Sequence, residues 1–263
     1  MSESVHSFYN NYNEEERLSS KHGQVEFLTT MRYIEKHLTP NAKILEIGAG
    51  TGRYSHTLAQ KGYDVDAVEL VPHNIEIFKA KTIPNEKISI RQGDARDLSA
   101  FTNNTYDITL LLGPLYHMFT SEDKKQTISE ALRVTKPGGI VFAAYCMSDA
   151  SIMYQGFRRG AFSISEFLEK GFISPETFEA YSVPELIFEI VRKEQIDSLM
   201  KEFPISRLHF VAADLYANHM SDTVDAMDDE KFKLYLQYHF AICERPDMIG
   251  LTHHSLDIFR KEK

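Results

Sequence analysis

The stretch KILEIGAGTGRYS, Lys43 to Ser55, sets glycines at 48, 50 and 52 directly behind a short apolar run. A compact apolar run closed by glycines reads as a buried strand entering a turn. Without side chains, such a turn lets the backbone approach a ligand closely. Behind it, YSHTLAQKG reads as a helix stopped by Gly62. Strand, glycine turn and helix together form the opening of a nucleotide-binding unit.

Working outward, the same alternation continues on both sides. QVEFLTTMRYIEKHL spaces Phe27, Met31, Ile34 and Leu38 along one helix face. DVDAVEL is a second strand, and Pro72 suits the first turn of the next helix. KISIRQGD and YDITLLLG are strands three and four. Thr120 and Asp123 have the spacing of a capping box for SEDKKQTISEALRVT. KPGG is expected to break that helix before IVFAAYC, the fifth strand. This predicts an α/β fold: a doubly wound, mostly parallel seven-stranded sheet with helices on both faces.

Residues 150–203 are rich in aromatics and contain helix-like pieces, notably SVPELIFEIVRKEQIDSLMKEF. SRLHFVAAD reads as strand six and HSLDIFRK as a closing strand, so helical insertions are expected after strands five and six. A single domain over 1–263 is expected. It comprises a cofactor-covering segment 1–23, a cofactor-binding core 24–149, a lid insertion 150–204, and the last strands with a second insertion, 205–263.

The 38 acids outnumber the 29 Lys and Arg, for a net charge of −9. That balance argues against DNA or bulk nucleic acid as a partner, because such affinity rests on cations neutralising phosphates. The first residues lack the basic start and apolar core of a secretion signal, and no apolar run approaches a membrane span. Cys146 and Cys243 sit in no metal or redox spacing. A cytoplasmic protein with no membrane association is therefore expected.

Two cofactors compete for the glycine turn. A dinucleotide fingerprint needs G-x-G-x-x-G, and here the third glycine comes one place early, with Arg53 where a close-packing glycine should stand. Glu46, two residues before Gly48, suits a cofactor with a cationic amino acid end. The run Glu46, Gly48, Gly50, Gly52, in the pattern E-x-G-x-G-x-G, closely resembles motif I of the class I (Rossmann-like) S-adenosylmethionine-dependent methyltransferases. YDITLLLGPLYHM resembles their motif IV, and ALRVTKPGGIVFAAY the helix, turn and strand that follow it. The resemblance covers residues 24–146.

It implies S-adenosylmethionine as cofactor, S-adenosylhomocysteine as its product, and methyl transfer as the activity. It further implies that Gly48, Ala49 and Gly50 cradle the cofactor, with Gly52, Leu70 and Leu112 beside it. By the same resemblance Glu69 takes the ribose hydroxyls, Asp94 accepts from the adenine amino group, and Ala95 contacts the ring. An aromatic of the N-terminal segment, Tyr9 or Tyr12, would close the site.

The acceptor is less legible. Methyl transfer from a sulfonium mainly needs alignment and exclusion of water, with a base where the acceptor carries a proton to lose. GPLYHM lacks the Asn/Asp-Pro-Pro-aromatic run of amino-methyltransferases acting on DNA bases and glutamine amides, and it lacks a cysteine. His117, with Tyr116 beside it, stands where a base would. A small-molecule acceptor methylated on oxygen or nitrogen is the leading expectation. A tRNA nucleoside is second, and a non-catalytic cofactor-binding role third. His253 and His254 are adjacent on an expected strand, so they should face opposite ways; no metal-ligand cluster is expected.

Overall fold

A computed structural model describes residues 2–11 and 19–262. The apolar run before the glycines is β1 (Lys43–Ile47), whose last four residues are buried. It pairs in parallel with β2 (Asp64–Glu69) on one side and β4 (Tyr106–Leu111) on the other. β3 (Ile88–Gln92) lies outside β2, and β5 (Thr135–Met147) beyond β4. The sheet closes with β8 (His254–Lys261) antiparallel to both β5 and β7 (Ile205–Ala212). The order is β3-β2-β1-β4-β5-β8-β7, so strand order reverses between β1 and β4. The glycine turn therefore sits at the switch point, where such sheets take ligands.

An eighth strand, the two-residue β6 (Ile190–Val191), pairs with the end of β5 at Cys146 and Met147. It falls inside the stretch expected to be helical. There Pro184 opens a short 3-10 turn, Ile187 adopts φ +64°, and a helix, α8 (Lys193–Met200), begins only after β6. Proline and a positive φ interrupt the apolar periodicity before a continuous helix can form. KPGG does not separate helix from strand either, because β5 already starts at Thr135, which pairs with Tyr106.

Helices cover the sheet. α1 (Ser2–Asn11) is followed by α2 (Lys21–His37), capped by the Ser20 hydroxyl, which accepts from the Gly23 N–H. α3 (Arg53–Gln60), α4 (Pro72–Lys81) and α5 (Ser121–Val134) are the crossovers. The Thr120 hydroxyl caps α5, accepting from the Asp123 N–H. After β5 come α6 (Ser148–Ser151), a π-helical turn over Ile152–Arg158, and α7 (Ile164–Glu169). Between β7 and β8 lie α9 (Ser221–Asp225) and α10 (Asp229–Ile242). Ile44, Leu45, Ile47, Leu110, Phe142 and Ile258 are fully buried at the centre, joined by Met31 and Ile34 of α2. The N-terminal end of α2 instead packs through Val25 on Val224 and Phe232 of the second insertion. Among the described residues no helix is long and apolar enough to cross a membrane.

Candidate cofactor and acceptor site

At the carboxyl ends of β1, β2 and β4 a cleft is lined by Glu46, Gly48, Ala49, Gly50, Glu69, Leu70, Asp94, Ala95 and Leu112. The glycines are there for two different reasons. Gly48 has φ +73°, and a Cβ on it would stand 2.7 Å from Pro114 Cδ across the cleft. Gly52 has φ +88° and does not line the cleft; a Cβ on it would strike Phe78 at 2.4 Å. Gly52 is thus a packing glycine that seats α3 on α4.

Glu69 holds the turn closed. Its Oε2 accepts from the Gly50 N–H at 2.8 Å, and its Oε1 from the Val71 N–H at 2.9 Å and from Asn74 Nδ2 at 3.3 Å. Glu46 is 2% exposed and accepts from the Ser55 hydroxyl. Burial pushes its carboxyl up to about 8, the Ser55 hydrogen bonds oppose this, and the charge of Glu69 adds to the rise. Asp94 is gripped by Arg96, whose Nε and Nη2 donate at 3.0 and 2.7 Å; those bonds hold the carboxyl below its usual range. Arg96, itself in the cleft wall, also pairs with Asp123 of α5 at 2.9 Å. The expected adenine acceptor is therefore half of an ion pair, which the sequence hinted at only through the spacing in DARD.

His117 ends a 3-10 turn, Pro114–His117, after β4 and is 9% exposed. Its Nδ1 donates to the Ile187 carbonyl at 2.9 Å, which leaves Nε2 to accept from the Tyr9 hydroxyl at 3.0 Å. Burial lowers its pKa and keeps the ring neutral. Both ring nitrogens are thus engaged: His117 ties α1 to the lid segment across the cleft mouth. Tyr116 donates its hydroxyl to the Leu112 carbonyl at 3.1 Å. Tyr9 lines the mouth, and Tyr12 lies outside the described residues.

A family profile described as a methyltransferase domain matches residues 45–143. The putative methyltransferase YqeM of Bacillus subtilis is 28% identical over 110 residues, 42% of this chain and 44% of that protein. The 2-methyl-6-phytyl-1,4-hydroquinone methyltransferase of Synechocystis is 32% identical over 108 residues, 41% of this chain and 33% of that protein. Residues 45–143 thus match a methyltransferase domain, and the chain is similar to S-adenosylmethionine-dependent methyltransferases of class I. It spans less than half the length of these two curated relatives. The PH0226 protein of Pyrococcus horikoshii OT3 shares its fold along nearly the whole chain, with a TM-score of 0.63 and 15% identity over 97% of this chain and 99% of that one.

The residues of this methyltransferase-family cleft fit the cofactor that the family name implies. Arg53 lines the cleft with its guanidinium 4.5 Å from the Phe27 ring, and its Nε is buried with no hydrogen-bond partner. A buried donor left unmade is costly, and a carboxylate would satisfy it. Across the same cleft Glu46 is a buried carboxyl that a cationic amine would stabilise. An α-amino acid end supplies both groups. Arg53 counted in the sequence only against a dinucleotide; its own role was missed.

A second cavity, of about 1110 Å³, shares Tyr9 and Tyr116 of its lining with the first. Its walls include Phe8, Phe188, Tyr154, Phe162 and Phe167, so part of the expected aromatic lid does face a cavity. Phe157 and Tyr181 of the same insertion are exposed. Arg158 and Arg159 lie at the surface with their guanidiniums 5.5 and 5.7 Å from the Tyr154 ring. His253 and His254 both border the cavity, contrary to the expected alternation, because His253 precedes the first residue of β8. The structure also gathers Glu26, Asp214 and His254, with one ligand-type atom from each within 4.8 Å of the others. No such cluster was expected, since its members come from α2, the end of β7 and the start of β8. His239 lies away from this site, buried between α10 and α2, where its Nε2 meets the Thr29 hydroxyl at 2.8 Å. His219 borders the histidine pair, its ring 4.9 Å from that of His253.

Proposed function

We propose that this protein transfers a methyl group from S-adenosylmethionine to an oxygen or nitrogen of a small-molecule acceptor, releasing S-adenosylhomocysteine. One observation carries the reading: the glycine cleft and an aromatic-walled cavity of about 1110 Å³ meet at Tyr9 and Tyr116. A cavity of that kind suits a small organic molecule bound largely out of water. When bound, the cofactor supplies an electrophilic methyl. The chain's own residues do the rest. Glu46 and Arg53 hold the amino acid end, Glu69 and Asp94 face the nucleoside, and the Tyr9–His117 bond closes the mouth against water.

The similarity to a Synechocystis hydroquinone methyltransferase supports an acceptor with an aromatic ring and a hydroxyl. The net charge of −9 opposes the tRNA reading. The test is incubation with S-adenosylmethionine labelled in its methyl group and a panel of phenols, amines and bulk tRNA. Label should appear on a small phenol or amine and not on tRNA. Label on tRNA alone, or none on any acceptor while S-adenosylhomocysteine binds, contradicts the proposal.

A further inference from the structure

The floor of the aromatic cavity is a polar cluster that the cofactor cleft does not use. Asp214, 1% exposed, has both oxygens filled. Oδ1 accepts from the Thr252 hydroxyl and from the N–H of His253 at 2.8 Å and of His254 at 3.3 Å. Oδ2 accepts from Asn218 Nδ2 at 2.8 Å and from His254 Nδ1 at 2.7 Å. A carboxylate so saturated orients an imidazole; it has no lone pair to spare for a metal. Glu26 Oε2 stands 3.3 Å from the same Nδ1. Cys146 lies opposite His254 in the sheet register. Next to it His253, 6% exposed, has its Nε2 buried with no hydrogen-bond partner.

Burial opposes charge on His254, but Glu26, Asp214 and Cys146 together raise it well above the ordinary value. Burial takes His253 the other way, down to about 4. The cavity floor thus offers one imidazole poised to be a cation beside one that stays neutral, with an unmet polar atom under aromatic walls.

We propose that this floor is the acceptor's polar anchor, and that it binds an acidic hydroxyl, a phenol or an enol, as its anion against His254, with His253 making the second hydrogen bond. The inference rests on the reading of this cavity as the acceptor site. The hydroxyl's O–H bond breaks and its proton passes to His254 Nε2, while the Nδ1 proton stays on the hydrogen bond to Asp214. Where the ring is already charged, the same ion pair forms with the proton released to water. The resulting oxygen–imidazolium pair is a charge-assisted hydrogen bond in a site shielded from water.

The probe is 4-nitrophenol, whose anion is coloured, titrated into the full chain with and without S-adenosylhomocysteine across a range of pH. Saturable binding should lower the probe's apparent pKa by about one unit or more, a tenfold change in the ionisation constant. His254→Gln, checked as folded by circular dichroism, should abolish the shift. His253→Gln should weaken binding several-fold, and His117→Gln should leave the shift in place. Binding with an unshifted spectrum, or a shift that survives His254→Gln, overturns the proposal. So does a shift removed by a chelator and restored by zinc, or S-adenosylhomocysteine binding with none of the probe. A shifted probe in a protein that binds no S-adenosylhomocysteine would instead sink the methyltransferase activity and leave this anchor standing.

Discussion

Glu46 and Arg53, the two ionisable side chains proposed to hold the amino acid end of the cofactor, differ in charge before it binds. Glu46 keeps its proton in the fold at pH values where an unfolded glutamate has lost it. Folding stability should therefore fall as pH rises from about 4.5 to about 8 in the ligand-free protein. Glu46→Gln should flatten that part of the profile, measured by urea denaturation across pH. Docking an ammonium beside Glu46 should expel the proton, so the cofactor's binding enthalpy near pH 7 should vary with the buffer's ionisation enthalpy. Glu46→Gln should remove that dependence. Gly52→Ala forces a Cβ to 2.4 Å from Phe78 at a φ of +88°, so it should cost about 2 kcal/mol or more of stability. The motif could not separate glycines that line the cleft from one that seats a helix. That distinction depends on Phe78, which lies 26 residues further on.

At the level of elements, the Tyr9 hydroxyl bonds His117 Nε2 and so latches α1 to the turn after β4, with the Phe8 ring 5.3 Å from that of Phe188. Tyr9→Phe should weaken closure by about 1 kcal/mol and speed S-adenosylhomocysteine dissociation several-fold, as stopped-flow would read. His117→Ala should have a similar effect on dissociation and leave the cofactor's equilibrium contacts with Glu46 and Arg53 in place. The joint between α2 and α10 has a pH signature of its own. Burial holds His239 down to about 4, so its contribution is present above pH 6.5 and is lost as pH falls toward 4. β1 to β5 were legible because each apolar run is short and punctuated by glycine, proline or a cap. The stretch from 182 to 203 misled because its helical periodicity continues through Pro184 and the positive φ of Ile187, neither of which periodicity registers.

Across the whole molecule, the cofactor half of the site is carried by local motifs and the acceptor half is not. Glu46, Gly48 and Gly50 sit within five residues, Glu69 ends β2, and Asp94 lies two residues past the end of β3. Glu26, Asp214 and His254 meet because β8 runs antiparallel beside β7 and Glu26 reaches His254 from α2; no local pattern announces that meeting. If the cleft binds its cofactor only in the folded state, ligand at about 100 times its dissociation constant should add about 2.7 kcal/mol of stability, and so raise the melting temperature by a few degrees. The most direct test of the central claim is calorimetric titration of the purified protein with S-adenosylmethionine, S-adenosylhomocysteine and NAD. Saturable one-site binding of the first two, lost on Arg53→Ala, with no heat from NAD, is the predicted result. Binding of NAD, or silence toward both sulfur compounds in a folded sample, would contradict it.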